Sequence, residues 1–172
     1  SYSSFPWLNV IDNIRFGLKF RDDLDAAEKE RRARHYLELV GLKGFESYYV
    51  NRISGGMRQR LAIARTLAAG PDVLLMDEPF GALDAMTRQG LQDEVLSLVA
   101  ASGATVIFVT HDLDEAIYLG DRIIGLLPHP GRIGIEVPVN LPRPRDQLST
   151  REHPEFLRLR RQLFDFIKAT EQ

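Results

Sequence analysis

The apolar positions along the chain follow two patterns, helical spacing and short uninterrupted runs, which predicts that helices alternate with short strands. In the stretch 57–67 the apolar residues recur every three or four positions, as on one face of an amphipathic helix. The stretches 73–76 and 105–109 are instead apolar almost throughout, which is typical of parallel strands covered on both faces. Helical spacing returns between them, at 85–101. The order strand, helix, strand predicts a right-handed parallel βαβ unit.

Capping residues and periodicity predict further elements on either side of this unit. Asn9 or Asp12 is suited to begin a helix that reaches residue 18, and Asp25 with Glu28 has the pattern of a capping box for a helix that reaches residue 40. The periodicity also predicts helices at 113–119 and 154–169, and strands at 122–127 and 134–139 around a turn at 129–131. The proline-rich stretch 141–145 is predicted to be irregular; its arginines leave open an anion site or a solvated connector, and we favour the connector.

The stretch 53–84 combines a helix that opens with glycines, an apolar strand and a cluster of carboxylates. Ser54 is suited to cap the helix, and Gly55 and Gly56 allow a large ligand to approach the backbone. The first N–H groups of a helix have no partners within it, and the helix dipole adds partial positive charge there. This opening therefore favours an anion such as a terminal phosphate.

Two carboxylates, Asp77 and Glu78, directly follow the first strand of the βαβ unit, and His111 follows the second. Ligands usually bind at the carboxyl ends of strands in open α/β sheets. One acid there can hold hydrated Mg²⁺ while its neighbour orients and deprotonates a water. The alternative is an acidic turn without chemistry, and a single histidine after a strand is more often structural than functional. The residues alone leave both alternatives open.

Composition narrows the possible classes of protein. The chain has 172 residues, close to one domain, and its 44% hydrophobic and 27% charged residues are typical of globular chains. The absence of cysteine excludes disulfides, cysteine-ligated zinc and a thiol nucleophile. A net charge of -2 speaks against a dedicated nucleic-acid binder. No apolar stretch approaches the roughly 20 residues of a membrane span, so we expect any membrane contact to go through a partner.

Four short motifs resemble those of ATP-binding cassette (ABC) ATPases, in the family's order and at its spacing. ISGGM, which begins at Ile53, resembles the signature motif; DVLLMDEP resembles the Walker B strand, GALD the D-loop and VTHD the H-loop. Ile53 stands where leucine is usual, which is a nearly isosteric change. The resemblance implies an α/β fold, a partial P-loop NTPase (RecA-like) core with a helical subdomain. It divides the chain into a helical signature subdomain at 1–60, a core part at 61–127, and a carboxyl-terminal part with a strand, a connector and an amphipathic helix at 128–172.

The same resemblance implies ATP and Mg²⁺ as cofactors and assigns roles to three residues near the strand ends. Asp77 would hold Mg²⁺ through water, and Glu78 would act as the general base toward the attacking water. His111 would contact the γ-phosphate and hold that geometry. Catalysis of this kind relies mainly on positioning and on neutralising charge.

The family's arrangement also implies a second ABC ATPase subunit as a partner, most simply an identical one. Each ATP would lie between the P-loop of one subunit and Ser54, Gly55 and Gly56 of the other. Asp84 would connect the two sites across the dimer interface. These four residues are therefore expected to bind nucleotide, or its surroundings, across the dimer.

Four segments resemble those of importers of nitrate, sulfonates and taurine: Phe5-Pro6-Trp7, the PGRI stretch, the LPRPR stretch and the last helix. In such importers the aromatic segment faces the coupling helix of the membrane subunit, whereas the residues alone favour a proline turn with two core aromatics. The resemblance implies transmembrane permease subunits as partners and, indirectly, a solute-binding protein, but no nucleic acid. It also implies a peripheral location at the cytoplasmic face of the plasma membrane.

The P-loop motif G-x-x-x-x-G-K-[ST] does not occur in the sequence, because no lysine is followed by serine or threonine. We therefore expect the chain to be the carboxyl-terminal part of an ABC ATPase subunit, inactive alone and with part of its sheet exposed. Two other functions stay open: a non-catalytic cassette fragment, and a soluble ABC ATPase that is not coupled to transport.

Overall fold

The computed structural model describes residues 4–81 and 83–170. The chain divides into two compact units, Ser1–Ile107 and Phe108–Gln172, and we describe each unit separately. The three-part division predicted from the sequence stays a prediction. Among the residues that the structure describes, no helix is long and apolar enough to cross a membrane.

The described residues of the first unit, 4–81 and 83–107, form four α-helices, a short 3-10 helix and a strand, and a second strand begins there. The helices are α1 (Val10–Gly17), α2 (Ala26–Leu39), α3 (Gly55–Ala68) and α4 (Ala85–Ser102), with the 3-10 helix at Val50–Arg52. Strand β1 (Val73–Asp77) pairs with β2 (Thr105–Val109) in a two-stranded sheet. The two predicted strands are therefore confirmed and are neighbours, while the handedness of their connection stays a prediction.

Side-chain caps within three residues set the helix starts of the first unit. The side-chain oxygen of each capping residue accepts a hydrogen bond from the backbone N–H three positions later. The distances are 2.8 Å to the oxygen of Asn9, 2.7 Å to Asp25, 3.2 Å to Ser54 and 3.1 Å to Asp84. The predicted caps are confirmed, and of the two candidates for α1 the structure selects Asn9. Such a cap contributes about 1 kcal/mol because it satisfies an N–H group that the helix leaves unpaired.

The core of the first unit lies where α1, α2 and α3 pack against one another. Six large aliphatic side chains in and beside these helices are fully buried: Ile14, Leu18, Leu37, Leu42, Leu61 and Leu67. The predicted apolar face of the helix that begins after Ser54 is confirmed, because it supplies two of these side chains.

Strand β1 is covered on one face only. Leu74 and Met76 are buried, whereas Val73 and Leu75 are 56% and 66% exposed. The prediction of burial on both faces is therefore wrong for this strand, and also for β2, whose Ile107 and Val109 are 51% and 47% exposed. An apolar residue at every position fits a strand between two layers, but within residues 4–81 and 83–170 nothing covers the second face of β1.

In the second unit, the described residues 108–170 form an antiparallel hairpin and three helices. Helix α5 (Leu113–Leu119) is followed by β3 (Arg122–Leu127), β4 (Arg132–Pro138), α6 (Ser149–Glu152) and α7 (Pro154–Thr170). The predicted positions of α5 and β3 are confirmed; β4 begins two residues before its predicted start, and α6 was not predicted. Strand β3 pairs with β4, with Ile123 opposite Val137.

Helix α7 packs on α5 and α6, and its Phe166 reaches the hairpin. A Cβ atom added to Gly125 or to Gly134 would lie 2.7 Å from the Phe166 ring. Glycine is therefore required at both positions for the helix to approach the hairpin this closely. Phe156, Leu159 and Leu163 complete the buried side of α7.

The proline-rich stretch 141–145 has no regular structure, as predicted, but it is not merely a solvated connector. The Arg145 side chain is completely buried. Its guanidinium donates to the carbonyl oxygens of Tyr118 at 2.7 Å and Gly120 at 2.8 Å. The expectation of a solvated connector is thus wrong for Arg145, because the last carbonyls of a helix need donors and this arginine supplies them.

Candidate functional site

The residues predicted to bind nucleotide across a dimer lie together in the first unit. Ser54, Gly55 and Gly56 at the start of α3 line one cleft with Asp84, the cap of α4. This cleft, which we call the first cleft, has a volume of about 560 Å³. A Cβ atom on Gly56 would lie 3.4 Å from the Thr87 methyl group, so the two helix starts nearly touch.

Two charged residues that the sequence did not single out also line the first cleft. Arg60, one turn into α3, forms an ion pair with Glu94 of α4 at 3.6 Å. The starts of two helices and one arginine therefore line a cleft that also holds two carboxylates. Helical spacing could have predicted the position of Arg60, because Arg60 lies four positions after Gly56 and thus on the same side of α3.

Asp84 is a cap whose charge is stabilised by the helix that it begins. A hydrogen bond with the Thr87 side chain, followed by the bond from the Thr87 backbone N–H, lowers the pKa of Asp84. Its carboxylate is exposed, so it is ionised and accessible at neutral pH. It also marks the end of the loop that follows β1.

Asp77 and Glu78 lie at the carboxyl end of β1, and both are exposed. Glu78 has a φ of 43°, a left-handed conformation that is uncommon for a residue with a side chain. Its carbonyl oxygen accepts from the Gly81 N–H at 3.4 Å, while Pro79 and Phe80 between them are buried. Strained backbone of this kind costs about 1 to 3 kcal/mol and is concentrated at functional sites.

The donor set at this strand end fits a weakly held Mg²⁺. Mg²⁺ usually keeps several waters and takes one or two carboxylates, together with substrate phosphates. Asp77 offers one exposed carboxylate of that kind. In the part of the chain that the structure describes, no group of three or more His, Asp or Glu side chains is close enough to form a metal site of its own.

His111 is exposed and lies in the second unit, between Thr110 and the residue that caps α5. That cap is Asp112, which accepts from the Glu115 N–H at 3.1 Å and donates its own N–H to the Thr110 hydroxyl at 3.1 Å. His111 is therefore attached to the first turn of α5 with only the capping residue between them.

His111 lines a second cleft, of about 850 Å³, within the second unit. The opposite wall comes from α7, with Leu157, Arg160, Arg161 and Phe164. These four residues have the spacing of one helical face, and the sequence analysis did not connect them with His111. The wall is predictable as the side of α7 that lies away from its buried residues, but its proximity to His111 depends on tertiary packing.

An aromatic patch, formed by Phe5, Trp7, Phe16 and Phe20, lies at the amino-terminal part of the first unit. The Phe5 ring is 5.3 Å from Trp7 and 4.4 Å from Phe16, and Phe16 is 6.4 Å from Phe20. Trp7 is 70% exposed, so the alternative of two core aromatics is wrong for it. The buried Asn13 side chain binds both the N–H and the carbonyl of Phe5, at 2.8 and 3.1 Å, which holds the segment in place.

Comparison with known proteins relates these features to one family. The family model described as ABC transporter matches residues 2–81. An uncharacterized ABC transporter ATP-binding protein of Methanocaldococcus jannaschii is 46% identical over 97% of this chain, which spans 61% of that relative. The nitrate import ATP-binding protein NrtD of Synechococcus elongatus is 41% identical over 97% of the chain and 62% of its own length. The taurine import ATP-binding protein TauB of Rhizobium johnstonii is 40% identical over 98% of the chain and 66% of its own length.

A solved structure has the same fold. A dimeric ATP-binding cassette in a post-hydrolysis state, bound to ADP and Pi, superposes with a TM-score of 0.64 and 34% identity. The match covers 80% of this chain and 60% of the solved one. The chain therefore spans about three fifths of the proteins and structures that it matches.

Proposed function

We propose, from the premise that this chain belongs to the ABC transporter ATP-binding family, that it forms part of the ATP-hydrolysing subunit of an importer for a small solute. The predicted α/β fold of a partial P-loop NTPase cassette is confirmed by the structural match. The solute is in the class of nitrate, sulfonates or taurine. Two relatives at 41% and 40% identity, which are named for nitrate and taurine import, support that class.

The observation that carries the proposal is the first cleft. Ser54, Gly55 and Gly56 are accessible at the start of a 14-residue helix, and Asp84 lies beside them. An accessible helix start with two glycines is suited to receive the terminal phosphate of a nucleotide held by another subunit. In this arrangement ATP joins two subunits, and Asp84 connects the two nucleotide sites.

The carboxylates at the end of β1 supply the chemistry in this proposal. Asp77 would hold Mg²⁺ through water, and such an ion would supply neutralisation of the phosphate charge. Glu78 accepts the proton of the water that attacks the γ-phosphate, as the bond from that phosphate to the ADP oxygen breaks and ADP leaves. The buried Pro79 and Phe80 directly follow Glu78 in the chain. His111 donates a hydrogen bond to the γ-phosphate and holds it in line with that water.

The proposed partners follow from the two exposed surfaces of the first unit. The first cleft takes a second subunit, and the aromatic patch takes a helix of a transmembrane permease subunit. Exposed aromatic side chains with a buried polar anchor such as Asn13 are suited to a protein interface. A solute-binding protein acts indirectly through the permease, and the subunit lies at the cytoplasmic face of the membrane.

The experiment that tests the proposal replaces Glu78 in the complete gene product. In Glu78→Gln the carboxylate that accepts the proton is lost, while the phosphate contacts remain. We expect Mg-ATP affinity to stay within about twofold and hydrolysis to fall at least about 100-fold, the usual scale for a general base. Turnover close to that of the unsubstituted protein would remove Glu78 from this role.

A further inference from the structure

Helix α5, which follows His111, is held at both ends by arginines from the last part of the chain. Arg151 and Arg160 bind Asp114 in its first turn, and Arg145 binds the carbonyls at its end. These arginines come from α6, α7 and the proline-rich stretch, so three separate segments converge on one seven-residue helix.

At the start of α5, Asp114 lies between two guanidinium groups. The Nε atom of Arg160 is 2.9 Å from one carboxylate oxygen, and a terminal nitrogen of Arg151 is 3.4 Å from the other. Arg151 also lies 5.3 Å from the centre of the buried Tyr118 ring, one turn further along α5. The first turn of α5 is thereby tied to α6 and α7 at once.

At the end of α5, Arg145 takes the place of a backbone donor. Its guanidinium reaches the carbonyl oxygens of Ile117, Tyr118 and Gly120 at 3.4, 2.7 and 2.8 Å. Burial, followed by the neighbouring Arg143, lowers the pKa of Arg145, but an arginine stays charged in proteins. A buried cation at this position also suits the negative end of the helix dipole.

His111 depends on the same helix for its position. Asp112, the cap of α5, directly follows His111, and Asp114 is two residues further on. A shift of the first turn of α5 therefore moves the backbone of His111. Arg160 is in addition one of the residues that form the wall of the second cleft opposite His111.

We propose that Arg160 is a positioning residue for His111: by holding Asp114 it fixes the first turn of α5, and so the place of the imidazole. This inference rests on the proposed function, in which His111 contacts the γ-phosphate. Arg160 touches neither nucleotide nor water in this role, and it acts through α5. Hydrolysis should then depend on a side chain of the last helix.

A positioning role of Arg160 can be distinguished from a contribution to folding stability, because the Arg160 side chain is 57% exposed. Exposed ion pairs contribute little to the free energy of folding, so its removal leaves the fold intact. Arg161 is a matched control, because it lines the same cleft, is 80% exposed and pairs at 3.5 Å with Asp165 of its own helix.

The experiment compares Arg160→Ala, Arg160→Lys and Arg161→Ala in the complete gene product. We expect kcat for ATP hydrolysis to fall about tenfold in Arg160→Ala with KM within about twofold, since small misplacements of catalytic groups are costly. Arg160→Lys should recover much of the loss because it keeps a cation near Asp114. Arg161→Ala should keep the original rate, and all three variants should keep the melting temperature.

The positioning role is overturned if Arg160→Ala hydrolyses ATP at the original rate, or if Arg161→Ala loses as much activity. It is also overturned if the loss of activity in Arg160→Ala is accompanied by a fall in melting temperature, and Arg160→Lys does not restore that temperature. If the unsubstituted protein shows no hydrolysis at all, the proposed function fails instead. The NMR signals of the His111 imidazole then decide the positioning role, which requires them to shift in Arg160→Ala and to stay in Arg161→Ala.

Discussion

The first cleft and the second cleft are built in different ways. In the first cleft the helix starts are fixed locally, because Ser54 and Asp84 each cap a helix through an N–H three residues away. In the second unit the helix beside His111 is fixed from a distance, by Arg145 and Arg151, which lie 27 and 37 residues beyond their partners. A helix start of the kind proposed to bind phosphate can therefore be recognised from a short motif, whereas the support of His111 is visible only in the folded chain.

Among the substitutions that test this comparison, the replacement of Arg145 is expected to have the largest effect on stability. Arg145→Ala leaves the carbonyls of Tyr118 and Gly120 buried without their donor, which should destabilise α5 by about 2 to 4 kcal/mol. Native-state hydrogen exchange of the α5 amides measures that local loss. The exposed Arg143, which pairs with Asp121 at 2.6 Å, is the control, and Arg143→Ala should cost less than about 1 kcal/mol. Equal hydrogen-exchange protection of the α5 amides in both variants would show that the bonds from Arg145 do not stabilise this helix.

A smaller effect is expected at the local cap of α4. The Thr87 side chain and N–H lower the pKa of Asp84 in the folded chain, so the ionised carboxylate stabilises the fold above its unfolded pKa of about 3.9. That stability is lost as the pH falls through the lower folded pKa. Asp84→Asn keeps a capping side chain but does not titrate. Between about pH 6 and about pH 3 the melting temperature of the original chain should fall slightly more than that of the variant, and parallel curves would contradict the assignment.

Residues that act through near neighbours could be predicted from the sequence. Ser54 and Asp84 are capping residues followed by helical periodicity, and the structure places both with Gly55 and Gly56 in one cleft. The strand before Asp77 was equally clear from its apolar run. These features depend on the chain within a few residues of the motif, and this is why the motif is informative.

Features that depend on packing could not be predicted in this way. Arg145 lies in a proline-rich stretch that suggested a solvated connector, because nothing nearby indicates that its partners belong to α5. The exposure of Val73 and Leu75 was also missed, since an apolar run does not reveal how many layers cover it. The left-handed backbone of Glu78 is not visible in a DEP motif.

The central claim is that the first cleft receives the phosphate of an ATP held by another subunit, and Gly55→Leu tests it most directly. A Cβ atom on Gly55 would lie 3.8 Å from its nearest neighbour, a nitrogen of Arg58, so the fold should accept a side chain that blocks the cleft. Gly131, where a Cβ atom would meet nothing within 4 Å, provides the control Gly131→Leu. We expect steady-state ATP hydrolysis by the complete gene product to fall at least about 100-fold in Gly55→Leu and to persist in Gly131→Leu. Equal rates in both variants would contradict the claim.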